Sequence, residues 1–218
     1  MELVCGIDEA GRGPVIGPMV IAGVLVTHHE QELLKKLNVR DSKLITPKKR
    51  QELARNIKNI VKKFRFIIIP PSEIDKELTS LFSNLNLLEA KKSAAIINYL
   101  KPSTVYLDCP SNNIKSYKQQ VRKYLKNTKT KIISEHKADQ KYIAVSAASI
   151  IAKVTRDKEI AKIQKSIKPD IGSGYPSDPI TQLFLAKYYK NYPSIIRKSW
   201  SSYKVLLQKK QQKTIGEF

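Results

Sequence analysis

The sequence predicts an α/β protein: a mixed five-stranded sheet flanked by helices, followed by a small helical domain. Three observations lead there. The chain opens with two apolar stretches around a glycine-rich turn, Gly6-Ile7-Asp8-Glu9-Ala10-Gly11-Arg12-Gly13-Pro14, which reads as a strand pair. Strand and helix patterns then alternate to about residue 167, as in a sheet covered by helices. From residue 168 strand patterns stop, and lysines interleave with aromatics on short helical stretches. The expected divisions are therefore 1–168 for the sheet domain, 169–210 for the helical domain and 211–218 for a tail.

Each element has its own signal. Glu2 to Cys5 starts the first strand, and Val15 to Thr27, rich in Val and Ile, supplies the second. Five of the eight glycines lie within the first 23 residues, which marks the turn between these strands as a place of close backbone approach. His28 to Leu37 is a short helix. Thr46-Pro47 starts another, with Thr46 as N-cap and Pro47 in the first turn, running to about Lys62. Phe64 to Pro70 is a β-branched strand closed by Pro70-Pro71, and Ser72 to Leu78 a short helix. Asn84 to Leu100 is a helix whose core face is expected at Leu85, Leu88, Ala95 and Ile96. Thr104 to Pro110 is a buried strand ending on Asp108. A helix over Asn113 to Leu125, a strand over Thr130 to Ser134 and one long helix over Tyr142 to Ile167 complete the domain.

The charge balance is extreme. The 218 residues carry 40 Lys and Arg against 19 Asp and Glu, a net charge of +21, which points to a polyanionic partner and first to nucleic acid. No secretory leader pattern and no apolar run of spanning length is visible, so a cytoplasmic protein without membrane contact is expected. If Asp8 and Asp108 meet on adjacent parallel strands, Cys5 and Cys109 are offset by about four residues, roughly 13 Å, too far for a disulfide. Positions 179–216 hold eight Lys or Arg, no acid, and Phe184, Tyr188, Tyr189, Tyr192, Trp200 and Tyr203, a composition that suits a nucleic-acid-facing surface or a small aromatic core with solvated lysines.

Acids stand at strand ends at Asp8, Glu9 and Asp108, and a fourth, Asp139, precedes the long helix. Four carboxylates at one sheet edge repel one another, and a pair of divalent cations resolves that cost and supplies phosphodiester chemistry. Neighbouring strand residues point to opposite faces, so Asp8 and Glu9 are expected to share a site only if the backbone turns at the Gly-Arg-Gly loop. Ser146, Ser149 or Ile150, Lys153 and Asp157 fall on one face of the long helix. Lys153 and Arg156 are candidates for phosphate, as are Ser42 and Lys43. His136 suits either a proton shuttle or a hydrogen-bonded structural imidazole.

These pieces together resemble type 2 ribonuclease H in its archaeal form. The resemblance rests on Gly6 to Met19, Arg40-Asp41-Ser42-Lys43, Tyr106-Leu107-Asp108, His136-Lys137-Ala138-Asp139, Ser146 to Asp157 and Gly172 to Asp178, and covers nearly the whole chain. It implies a ribonuclease H-like fold with a C-terminal helical substrate-binding domain and a site in the cleft between them. It implies that Asp8, Glu9, Asp108 and Asp139 hold two Mg²⁺ or Mn²⁺. It further implies that Gly11, Arg12 and Gly13 recognise a ribose 2′-OH and nearby phosphates, and that Tyr175 stacks on the following deoxyribose. The implied activity is endonucleolytic cleavage of the RNA strand of RNA–DNA hybrids and at single ribonucleotides in duplex DNA, leaving 3′-hydroxyl and 5′-phosphate ends. The related type 3 enzymes carry Glu at the fourth acid and an extra N-terminal domain, so Asp139 and a start at the first strand favour type 2.

The tail adds one expectation: Gln212, Ile215 and Phe218 have the spacing of a peptide that docks on sliding clamps, though a frayed basic tail fits the same residues. A monomer is expected. Two other functions are compatible with the residues alone: another phosphodiester chemistry on the same fold, and a basic nucleic-acid-binding protein whose acids are structural.

Overall fold

The computed structural model of the chain describes residues 2–39 and 46–215, the side chains of 209–215 excepted. Five strands form one sheet in the order β3-β2-β1-β4-β5. They are β1 (Val4–Ala10), β2 (Met19–Val26), β3 (Lys63–Ile69), β4 (Thr104–Asp108) and β5 (Lys131–Glu135). β1 pairs antiparallel with β2 and parallel with β4, and β4 pairs parallel with β5, so the sheet is mixed. The helices are α1 (His28–Lys36), α2 (Pro47–Ile60), α3 (Pro71–Leu78), α4 (Leu85–Leu100), α5 (Ile114–Lys123), α6 (Ala138–Lys141), α7 (Ile143–Ser166), α8 (Pro179–Tyr188) and α9 (Ser201–Ile215). None of the described helices is long and apolar enough to cross a membrane.

Local chemistry explains the helix starts. Thr27 and Glu30 form a reciprocal capping box on α1, Thr46 caps α2 and Asn113 caps α5. One expectation fails on α4: Ala95 is exposed, while the buried face runs through Leu88, Ile96, Ile97 and Leu100 and also carries Glu89 and Ser93. Polar residues on the buried face are what hid the true stripe from a periodicity argument.

The chain packs as two compact units. One draws on residues up to Ala10, on Val20–Ile68 and on Leu85–Arg156; the other gathers Gly11–Met19, Ile69–Asn84 and the chain from Asp157 onward. The expected domains at 1–168 and 169–210 are continuous in sequence, whereas these units are not. In the first unit Val20, Ala22, Val24 and Val26 pack with Ala54 and Ile57 of α2 and with the alanine-rich face of α7. Gly6 permits that approach, since a Cβ there would stand 2.1 Å from the carbonyl carbon of Ala144. In the second unit Val15, Ile16, Ile171, Phe184, Leu185 and Ile196 form the core, with Ile160, Ile163 and Ile167 against it.

The apolar run from Val15 is thus not one strand. β2 begins at Met19, because Gly17 takes a left-handed backbone (φ 83°) and Pro18 has no N–H to offer a ladder. Val15 and Ile16 instead donate their N–H groups to the Gly174 carbonyl at 2.8 and 3.2 Å.

Candidate active site

Parallel pairing of β1 with β4 brings the first acids together. The ladder ends at Ile7 opposite Leu107, so Asp8 and Asp108 follow side by side where the two strands stop pairing. Carboxylate oxygens of Asp8, Glu9 and Asp108 lie within 4.8 Å of one another. β1 keeps its register with β2 through Ala10 opposite Val20, and the backbone leaves the strand at Gly11 (φ 81°), the start of the Gly-Arg-Gly loop where a turn was expected. Glu9, although next to Asp8 on the strand, brings its carboxylate to the same place.

Asp8 is buried, with 6% of its surface exposed. Burial pushes its carboxyl well above the usual carboxylate range, and the charges of Glu9 and Asp108 push it further. Two hydrogen bonds act in the opposite direction, from the Ser149 hydroxyl and from the Glu9 N–H, the latter at 2.7 Å from Oδ1. Asp108 Oδ1 accepts the Ala138 N–H at 2.8 Å, which ties the start of α6 to the end of β4.

Asp139 follows on that short helix. It stands outside the group of three, and its backbone carbonyl accepts the Ser146 hydroxyl. A helix separate from α7 was not expected there. Lys137 takes a left-handed backbone (φ 55°) at its start, and Tyr142 breaks the helical path before α7. The His136 ring is oriented by its Nδ1–H, which donates to the Cys109 carbonyl at 3.1 Å. The cysteines are buried and free, as the four-residue offset between Cys5, opposite Val105, and Cys109 requires.

The other expected residues of the first unit fall in different places. Lys153 on α7 is partly exposed, whereas Ser146 and Arg156 are each only 3% exposed. Ser42 and Lys43 lie outside the described residues, as do Phe218 and the side chains of Gln212 and Ile215. Ser149 is the residue that sequence reasoning left undecided; its position three residues after Ser146 was the only signal.

The second unit builds a group of its own around Gly11-Arg12-Gly13. Gly11 takes a left-handed backbone (φ 81°). The Tyr175 ring lies beside Gly13, where a Cβ would stand 3.4 Å from it, and Tyr175 is 41% exposed. The loop carrying Tyr175 is built by Asp178, which accepts the Ser173 N–H at 2.5 Å and the Ile180 N–H at 3.0 Å while capping α8. These amide donors hold the Asp178 carboxyl down to about 2. Arg197 and Trp200 complete the group, donating to loop carbonyls. Neither role had a local signal, because their partners lie some 180 residues earlier in the chain.

The donor set near Asp8 is made of oxygen only, hard and anionic, and so fits a divalent cation such as Mg²⁺ or Mn²⁺ rather than a thiolate- or imidazole-seeking metal. Carboxylates crowded at a strand end, one of them with its carboxyl pushed well above the usual range by burial and then by its neighbours' charges, are what a cation would relieve.

Comparison with known proteins agrees with this chemistry. The family model described as Ribonuclease HII matches residues 5–203. A Ribonuclease HII of Thermococcus sibiricus is 46% identical over 212 residues, covering 95% of this chain and 92% of its own. The crystal structure of ribonuclease H2 from Pyrococcus horikoshii superposes with a TM-score of 0.86 at 40% identity, covering 95% of this chain and 98% of that one. A structure of the PCNA:RNase HII complex from Archaeoglobus fulgidus gives a TM-score of 0.82 at 37% identity, covering 91% and 95%.

Proposed function

The chain belongs to the Ribonuclease HII family of endonucleases, and from that premise we propose that it cuts both the RNA strand of RNA–DNA hybrids and single ribonucleotides embedded in duplex DNA. The observation that carries the proposal is the convergence of Asp8, Glu9 and Asp108 at one strand end.

Asp8, Glu9 and Asp108, with Asp139 as the fourth acid, would hold two divalent cations, Mg²⁺ or Mn²⁺. Bound there, such ions supply a water nucleophile at neutral pH and neutralise charge on the departing 3′-oxygen. The protein's part is orientation. The Glu9 N–H and the Ser149 hydroxyl fix the Asp8 carboxylate, and the Ala138 N–H fixes that of Asp108. Ser146 anchors the backbone of Asp139.

Substrate is read by the second group. The backbone N–H groups of Gly11-Arg12-Gly13 bind the ribose 2′-OH and adjacent phosphates, and the exposed ring of Tyr175 stacks on the deoxyribose that follows. The 2′-OH is the local difference between RNA and DNA, so this contact locates the junction. Lys153, Ser42 and Lys43 contact phosphates; Ser146 and Arg156 act from inside the protein, because both are buried. The net charge of +21 draws in the polyanion. The products carry 3′-hydroxyl and 5′-phosphate ends.

We place the protein in the cytoplasm as a monomer. By likeness to the complex described from Archaeoglobus fulgidus, the tail Gln212, Ile215 and Phe218 docks on a sliding clamp.

The test is cleavage of a labelled DNA duplex holding one ribonucleotide, beside a continuous hybrid, with Mg²⁺, Mn²⁺ or EDTA. A metal-dependent cut on the 5′ side of the ribonucleotide is expected. Cleavage of the hybrid alone would remove junction recognition, and cleavage of neither would remove the nuclease reading.

A further inference from the structure

We propose that Arg197 is the positioning residue that shapes the Gly11-Arg12-Gly13 loop for substrate, an inference that rests on that loop being the substrate-reading element. Arg197 is fully buried. Its guanidinium donates through Nη2 to the Gly11 carbonyl at 2.6 Å, through Nη1 to the Arg12 carbonyl at 3.0 Å and through Nε to the Gly17 carbonyl at 3.0 Å. The same residue's backbone N–H donates to the Val15 carbonyl at 2.9 Å, and its neighbour Ile196 bridges to Ile16. Trp200 lies against the guanidinium, 4.7 Å from ring centroid to Cζ, and donates its indole N–H to the Gly13 carbonyl at 2.9 Å.

Peptide planarity turns this carbonyl clamp into a statement about the loop's donors. No described peptide bond is cis, so each N–H points opposite to the carbonyl of its own peptide unit. With the carbonyls of Gly11 and Arg12 drawn to Arg197, the N–H groups of Arg12 and Gly13 are both turned away from it. The next tethered carbonyl, that of Gly13, precedes Pro14, and that of Gly17 precedes Pro18, so neither unit carries an N–H that the tether could bury. Two successive N–H groups aimed together form an anion-binding concavity, and the left-handed Gly11 provides the backbone change that such a nest requires. A planar fork is suited to the task, because it reaches three carbonyls at once and stays charged at any working pH; a lysine reaches them only through one nitrogen.

The clamp is itself anchored. Asp75 accepts the Lys198 N–H at 2.8 Å, the Ser199 N–H at 2.9 Å and the Ser199 hydroxyl at 2.6 Å, which pins the segment carrying Arg197 to α3.

The experiment compares Arg197→Lys, Arg197→Met, Trp200→Phe and Arg12→Ala with the unaltered protein. The measurements are KM and kcat on the single-ribonucleotide duplex and melting temperature. Losing charge-assisted hydrogen bonds to the loop is expected to raise KM about tenfold in Arg197→Lys, with kcat within about threefold. Trp200→Phe is expected to shift KM in the same direction by less, and Arg12→Ala to raise it too. A residue that merely stabilised the fold would lower the active fraction, and so kcat, without moving KM. If Arg12→Ala raises KM while a folded Arg197→Lys and Trp200→Phe do not, the positioning role is wrong and the loop reading stands. If none of the four moves KM, the loop does not read substrate and the inference falls with it. A failure of Arg197→Met to fold leaves the decision to Arg197→Lys and Trp200→Phe.

Discussion

Gly6 on β1 and Ala144 on α7 approach so closely that a single added methyl on Gly6 would stand 2.1 Å from the Ala144 carbonyl carbon. That contact sets the distance between the strand that carries Asp8 and Glu9 and the helix that carries Ser149. Gly6→Ala therefore has to push backbone apart, not a flexible side-chain end. Overpacking of this kind is expected to cost about 3 kcal/mol or more of unfolding free energy, read from a urea titration. A loss below about 0.5 kcal/mol, the scale of an ordinary surface substitution, would show that α7 is not seated on β1 as described.

Asp8 predicts a reversed pH dependence in the metal-free protein. Its folded carboxyl titrates well above the unfolded value, so the folded state binds more protons than the unfolded one between those two points. Stability from this group is fully present below about pH 4, the unfolded carboxyl value, and is lost as pH rises through the raised folded value. In EDTA the melting temperature of the unaltered protein should therefore fall, relative to that of Asp8→Asn, as pH rises from about 4 toward neutrality. A constant difference between the two proteins over that range would contradict the electrostatic account of Asp8.

Divalent cations should reverse that loss. Saturating Mg²⁺ or Mn²⁺ near neutral pH is expected to raise the melting temperature, since an ion that binds only the folded state stabilises by about 2.7 kcal/mol at a hundredfold excess over Kd. The same addition should have a smaller effect on Asp8→Asn. Equal shifts in both proteins would place the cation somewhere other than beside Asp8.

Asp8→Asn should also abolish cleavage while leaving affinity for the nucleic acid within about threefold, because the charge that draws in the polyanion is spread over many lysines. Turnover within tenfold of the unaltered enzyme would remove Asp8 from the chemistry.

Asp178 behaves in the opposite sense to Asp8. Amide donors lower its carboxyl to about 2, so its contribution is present above the unfolded value and disappears as pH falls through the folded one. Asp178→Ala should melt below the unaltered protein at neutral pH, and the difference should close between about pH 4 and pH 2. A difference that persists below pH 2 would mean that the loss comes from packing and not from the ionised cap.

Much of this protein is local in origin. The strands and helices follow from periodicity and from caps such as Thr46 and Asn113, which act within four residues of themselves. Asp8, Glu9 and Asp108 stand out because acids at the ends of apolar strands need a reason to be there, and the parallel register of β1 with β4 then brings them together. The motifs around Gly11, Asp139, Ser146 and Tyr175 were sufficient to identify the family, because a motif is a run of neighbours and a sequence displays neighbours. Only the tertiary structure decided how Val15 to Val26 divides between two cores and which buried face α4 presents. It alone joined Arg197 to the carbonyls of Gly11 and Arg12. Those outcomes depend on groups far apart in the chain, whose energies arise only once desolvation and close packing have brought them together, and no spacing along the chain carries that information.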